Sequence, residues 1–469
     1  MNQKQKMRFK NLLSAKTLGV LASAAVLSSC SSVSNKQQAV ELEVKKYTLD
    51  NGLRVLIAPN SRLPIVSYYT LIDVGGKDEY AGTTGATHFL EHMMFKGAKK
   101  FGPGEFDTLL EKNGGSTNAF TSNDMTVYYE TFPKDFLNVV IDMEADRMQN
   151  LLLEEKSFES ERQVVLEERK MRYENSPGGL LWLESMKKIF AGTPYGQSVI
   201  GEVADVTALS RDKMMEFFHT YYVPNNAIIA IAGDVNPSEV IKKMNEHFGP
   251  IKKSKELTDL KNKIDTKAVF ANRAQVNKEY HFYATSETPK FMINFKGVPL
   301  TDKRMYALDL LANMLGDGSS SYLEQTYVRV DKPIFNNVYL TTYNLQYAGM
   351  LAFGGELAPG VKIATAKKTL LNDINNMCTN ALTDYSLQKA KNQVLANSYN
   401  ELMSNSGVAL MLVSNEKAFN DYKYSFKDVE RYNQVTLDEV KGACRDFLKA
   451  DESIYVTVWN KNPKTGDKK

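Results

Sequence analysis

Two histidines, His88 and His92, stand four residues apart in Gly85-Ala86-Thr87-His88-Phe89-Leu90-Glu91-His92-Met93-Met94-Phe95-Lys96-Gly97. Residues four apart on a helix project from the same side, so this pair can grip one metal ion. Glu91 stands one residue before the second histidine and offers a carboxylate to move a proton beside that metal. Ala86, Phe89, Leu90, Met93 and Met94 recur at helical spacing and predict a core-directed face. Thr83 or Thr84 is expected to cap the helix, and Gly97 suits the left-handed position beyond its end. Of the five histidines, the remaining three (His219, His247 and His281) are scattered and read as surface or packing residues.

Catalytic zinc takes three protein ligands and a water, so a third ligand is needed. A helical segment over 155–173 offers Glu161, Glu167 and Glu168. Glu161, Val164, Val165, Glu168 and Met171 share one stripe, whereas Glu167 falls with Ser160, Gln163, Lys170 and Glu174 on a polar face. A carboxylate on an apolar stripe is costly unless paired or bound to metal. This selects Glu168 as third ligand, Glu161 as a supporting carboxylate and Glu167 as a surface residue.

The elements that must position these groups follow from local signals. Asp50-Asn51-Gly52 between two β-rich runs predicts a hairpin, and residues 65–74 predict a further strand. A second hairpin runs through Ser116–Thr121 and Thr126–Glu130. Helices are expected over 106–112, 136–147, 155–173, 180–190, 214–222 and 237–248, with a strand at 227–232. Beyond a lysine-rich stretch the pattern restarts, with strands at 280–283 and 291–295 and a helix at 303–315. Shifting by 221 residues lays the motif helix on Ala307–Met314, Gly97 on Gly318, and His88, Glu91 and His92 on Asp309, Ala312 and Asn313. The pattern implies a duplicated domain whose second copy has no metal site.

The 469 residues are 43% hydrophobic, enough for two domains, and 58 Lys plus Arg against 55 Asp plus Glu leave no electrostatic footprint for nucleic acid. The N-terminus, with Lys4, Lys6, Arg8 and Lys10 before an apolar run to Leu27, reads as a secretory signal. It ends Leu27-Ser28-Ser29-Cys30, which resembles the bacterial lipobox, so Cys30 is the expected lipidation site and the lipid the membrane anchor. Ser31 rather than Asp at the next position points to the outer membrane, facing the periplasm. Cys378 and Cys444 fit equally a disulfide and two buried free thiols. The expected organisation is a signal peptide over 1–29, a tether over 30–45, a catalytic domain over 46–250 and a linker over 251–272. A homologous inactive domain over 273–463 and a tail over 464–469 complete it.

From about Tyr47 to Trp459 the chain resembles the pitrilysin, insulin-degrading enzyme and mitochondrial processing peptidase family of metallopeptidases, most of all its half-length bacterial members. The resemblance is carried by THFLEHMMFKG, GGSTNAFTSNDMTVYYETFP, ERQVVLEERK (placing Glu168 76 residues after His92), TPYGQSVIG and YYVPNNAIIAIAGDV. It implies an α+β fold of two homologous domains, each a mostly antiparallel sheet with helices on one side, forming half of a clamshell chamber. It implies one Zn2+ per chain on His88, His92 and Glu168, with Glu91 as base and Glu161 in support. Zinc would acidify its water and polarise the scissile carbonyl of a peptide or unfolded segment. Asn118 and Ala119 would lie on an edge strand that pairs with extended substrate. The family's second-domain Arg and Tyr are displaced here: their positions hold Val328 and Phe335 or Asn336, with Arg329 one place off. A dimer with a related subunit or with itself is therefore expected to supply them.

Overall fold

The computed structural model describes residues 42–257 and 276–460. The expected signal peptide, Cys30, most of the tether and linker, and the tail lie outside these residues. The first sheet contains β1 (Lys45–Thr48), β2 (Arg54–Pro59), β3 (Ile65–Ile72), β4 (Ser116–Thr121), β5 (Thr126–Pro133) and β6 (Ala227–Gly233), in the order β1-β2-β6-β3-β5-β4. The second contains β7 (Lys278–Ala284), β8 (Lys290–Gly297), β9 (Phe335–Asn344), β10 (Gly349–Leu357) and β11 (Ile454–Asn460), in the order β7-β11-β8-β10-β9. Without β1 the two orders superimpose. Each sheet has one parallel pair, β2 with β6 and β7 with β11, and every other pairing is antiparallel.

Five helices position the site: α1 (Ala86–Met93), α2 (Glu155–Arg169), α3 (Pro177–Ile189), α4 (Met305–Gly316) and α5 (Asn405–Phe419). The motif helix α1 lies between β3 and β4, and α4 lies between the corresponding β8 and β9. Gly97 and Gly318, which the 221-residue shift superimposes, both take positive φ, +107° and +77°. Strand topology and this shared turn bear out the duplication.

Each sheet packs its own half's helices on one face. Val55, Ile57, Val66, Tyr68, Ile229 and Ile231 meet Phe89, Leu90 and Met93 of α1 there. The opposite face is covered by the other half. Val408, Ala409, Leu412 and Val413 of α5 pack on Leu56, Tyr69, Leu71, Ile228 and Ala230. Reciprocally, Leu181, Met186 and Ile189 of α3 pack on Met292, Met350, Ala352, Ile454 and Val456. The central strand β6 is consequently buried on both faces, which is why it reads Ala-Ile-Ile-Ala-Ile-Ala rather than alternating. Cys378 and Cys444 settle their open alternative: they form a disulfide between a π turn (Met377–Ala381) and the helix Leu437–Phe447.

Candidate metal centre

The start of α1 is held differently from the expected threonine cap. Gly85 occupies the N-cap position at φ +87°, and a Cβ there would stand 2.8 Å from the backbone of Gly201. The orphan N–H groups of Gly85 and Thr87 donate instead to the buried carboxylate of Glu79, at 2.9 and 2.7 Å. Thr84 bonds Asp205 through its hydroxyl and Thr83 bonds Tyr80.

His88 and His92 project from α1 towards the last turn of α2. Glu168 Oε2 lies 3.1 Å from Nε2 of His92 and 3.7 Å from Nε2 of His88. One ligand atom from each of the three residues falls within 4.8 Å of the others. Around a tetrahedral zinc with bonds of about 2.0–2.1 Å, ligand atoms stand about 3.3 Å apart. The donor set and its spacing therefore fit that ion. Burial and the neighbouring His92 hold His88 down at about 4, leaving a neutral imidazole with a lone pair to give. Burial also works against a proton on His92, but its bonds to Glu161 and Glu168 prevail and raise it to about 9. The same two carboxylates would stabilise a metal cation in the proton's place.

Glu161 completes the support. Its Oε1 is 2.9 Å from Nδ1 of His92, and Oε2 is 2.7 Å from Nζ of Lys96. This is the carboxylate–histidine arrangement that fixes a ligating ring. Glu167, 67% exposed, pairs among the described residues with Lys170 and points away. The stripe used to choose among these glutamates is less apolar than the sequence implied: Val165 is buried, but Val164 and Met171 are 48% and 64% exposed. A π turn over Lys170–Glu174 follows the helix, and Arg172, four residues on from Glu168, places its Nε 2.7 Å from Glu168 Oε1.

Glu91 is buried beside these groups, and burial raises its pKa against a hydrogen bond donated by the Thr121 hydroxyl. Thr121 ends β4, the edge strand of its sheet. Ser122 N donates to Met125 O at the hairpin turn, so Phe120 and Asn118 are the paired positions and the N–H of Ala119 faces the free edge. That N–H is held by Asn118 Oδ1 at 2.8 Å. The sequence did not single out Lys96, Arg172, Thr121 or Glu79. Two of them carry a local signal: Lys96 lies one turn beyond His92, and Arg172 one turn beyond Glu168.

In the second half, Asp309 replaces the first histidine and accepts hydrogen bonds from Thr342, Tyr432 and Asn344 at 2.6, 2.9 and 3.4 Å. Val328 packs against the second core and Phe335 is fully buried. Asn336 bonds Glu356, and the exposed Arg329 pairs with Glu324. His247 bonds Asp142 and His281 bonds Thr457, each apart from the centre.

Residues 54–202 match the family model described as insulinase (peptidase family M16), and residues 208–394 match the model described as peptidase M16 inactive domain. Zinc protease PqqE of Helicobacter pylori is 30% identical over 420 residues, covering 88% of this chain and 92% of that protein. The mitochondrial-processing peptidase subunit beta of Dictyostelium discoideum is 29% identical over 278 residues, 59% of this chain and 57% of that one. A crystal structure of a protease from Helicobacter pylori superimposes with a TM-score of 0.81 at 26% identity, covering 89% of this chain and 99% of that chain. Two matched family models, a relative 30% identical along most of the chain and the duplicated half-chamber fold place this protein in the insulinase family of peptidases, family M16.

Proposed function

We propose that the chain is a zinc metalloendopeptidase that hydrolyses peptides or unfolded polypeptide segments in the bacterial cell envelope. The observation that carries this reading is the convergence of His88, His92 and Glu168 beside the buried carboxylate of Glu91. Zinc held by those three residues would acidify a water and polarise the scissile carbonyl. Glu91 takes the proton and returns it to the leaving amine, and its position three residues on from His88 keeps it within reach. Glu161, steadied by Lys96, orients His92. The outward backbone of Ala119 on β4, beside Asn118, accepts an extended substrate as an added strand. For this, Asn118 Oδ1 must release the N–H of Ala119.

The half beyond the linker is the inert copy, since Asp309, Ala312 and Asn313 stand where ligands and base would be, and the family model over 208–394 is the one described as inactive. The domain boundaries 46–250 and 273–463 belong to this reading. A partner, either a related subunit or a second copy, supplies the Arg and Tyr that Val328 and Phe335 do not; the relative named a subunit supports such an assembly. Lipidation of Cys30 anchors the chain in the outer membrane facing the periplasm, and the Cys378–Cys444 disulfide favours an oxidising compartment.

Cleavage of a quenched fluorescent peptide library by the form starting at Ser31 tests the reading, beside Glu91→Gln with zinc content measured. Turnover in the wild type that falls at least about a hundredfold in the variant at equal zinc is expected. A variant that cleaves at the normal rate refutes the role of Glu91. Zinc in both proteins without turnover in either, even with partner added, favours a non-catalytic peptide-binding subunit.

A further inference from the structure

The turn that joins β4 to β5 is gripped from outside its own sheet. Asp124 accepts one hydrogen bond from the hydroxyl of Tyr195, at 2.6 Å, and another from the backbone N–H of Gln346, at 2.9 Å. Gln346 lies in the turn between β9 and β10, the second half's counterpart of the same hairpin. Its side-chain oxygen accepts from Nζ of Lys417 on α5, at 2.7 Å. Beside it, the hydroxyl of Tyr343 is 3.3 Å from Oδ1 of Asn123, and the N–H of Tyr347 donates to the Tyr195 hydroxyl at 3.2 Å. Three residues before Asp124, at the end of β4, the hydroxyl of Thr121 donates to Oε2 of Glu91.

We propose that Thr121 is a positioning residue for Glu91, and that the Asp124 clamp between the two hairpin turns holds Thr121 in place. The proposal rests on the reading of Glu91 as general base. A glutamate has three side-chain torsions, and a base must present one oxygen to the reacting proton in a fixed direction. A threonine hydroxyl has a single hydrogen to donate, and its branched Cβ on a strand restricts χ1. Donation to Oε2 therefore pins one carboxylate oxygen and leaves Oε1 to accept the proton. Thr121 itself pairs with Thr126 across the turn, so its height over α1 follows the turn that Asp124 anchors. The second half, which has no ligand of its own in the site, thus bears on the catalytic group.

Thr121→Val keeps the shape and removes the donor, Thr121→Ser keeps the donor, and Asp124→Asn weakens the clamp. A hydrogen bond to a charged group at about 1.5–3 kcal/mol predicts that T121V lowers kcat about tenfold or more, with KM and zinc content unchanged. T121S should recover most of that loss. D124N should lower kcat by a smaller factor that does not multiply with the T121V factor, because both act on one group. Crystal structures of wild type and T121V, which need no turnover, should show the Glu91 carboxylate rotated away in the variant. A T121V enzyme with wild-type kcat, or an unmoved Glu91 in its crystal structure, overturns the proposal. If the wild type cleaves no peptide, the peptidase reading fails on its own account, and the position of Glu91 alone decides whether Thr121 holds it.

Discussion

Truncating Glu161 gives a direct measure of how much the site depends on support from behind its ligands. The carboxylate bridges Nδ1 of His92 at 2.9 Å and the ammonium of Lys96 at 2.7 Å. The first contact fixes the ring so that Nε2 faces Glu168, and it increases the basicity of that nitrogen. Losing such a partner typically costs 10–100-fold in metal affinity, or about 1.4–2.7 kcal/mol. Glu161→Ala should approach the upper figure, since it removes both contacts and leaves the part-exposed charge of Lys96 facing the imidazole. Glu161→Gln should lose about tenfold, because an amide oxygen still accepts from Nδ1 but brings no charge. The assay is zinc competition between metal-stripped protein and a chromophoric chelator near neutral pH, with thermal unfolding to confirm folding. Glu167→Gln is the control: that side chain is 67% exposed and meets Lys170 among the described residues, so affinity should not change. Wild-type affinity in Glu161→Ala would refute the reasoning, as would an equal loss in the Glu167 variant.

Other perturbations probe the scaffold. The Cys378–Cys444 bridge closes 66 residues, and removing it with Cys378→Ala and Cys444→Ala should lower stability by ~4 kcal/mol on the chain-entropy account, read as an earlier denaturant midpoint. Coincident midpoints for oxidised wild type and variant would contradict this. Burial outweighs the two N–H bonds to Glu79 and raises it to about 8, against an ordinary 4.5. The folded chain thus keeps a proton that the unfolded chain releases, so this contribution is full below pH 4.5 and declines as pH rises to about 8. Glu79→Gln should flatten that decline; an unchanged stability profile would place the ionised form in the fold. Residues 42–257 expressed alone would bare Leu56, Tyr69, Leu71 and Ile228 and should aggregate, with co-expression of the remainder restoring solubility. A soluble monomeric first half would show that α5 is dispensable.

The parts of this protein that were legible in the sequence are those written in local spacing. The four-residue interval of His88 and His92, the Asn-Gly turn and the restart of the pattern after the linker each depend on residues near one another in the chain. Glu168 follows from a helical stripe that also carries the exposed Val164 and Met171, so its place on that stripe does not by itself report burial. The cap of α1 was missed because the group that satisfies Gly85 and Thr87 is a glutamate in the preceding loop rather than a neighbouring threonine. Thr121 and the disulfide pairing depend on contacts across 30 and 66 residues. The sequence predicts a helix over 180–190, which overlaps α3, but not which sheet receives it, and α5 lies in a stretch for which no element is expected from the sequence.

That exchange of helices, together with the Asp124 clamp, ties the second half to the surroundings of the candidate site. Glu168 sits in the last turn of α2, a π turn follows, and α3 then docks on the far half's β8 and β11. Eight residues, 169–176, separate Glu168 from the start of α3. Thr121, on the other side of α1, is tied to the same half through Asp124 and Gln346. The two histidines, Glu168 and Thr121 all belong to the first half, but the turn beside Thr121 and the helix that follows Glu168 both contact the second. The second half therefore meets the surroundings of the centre on two sides, at Asp124 and along α3.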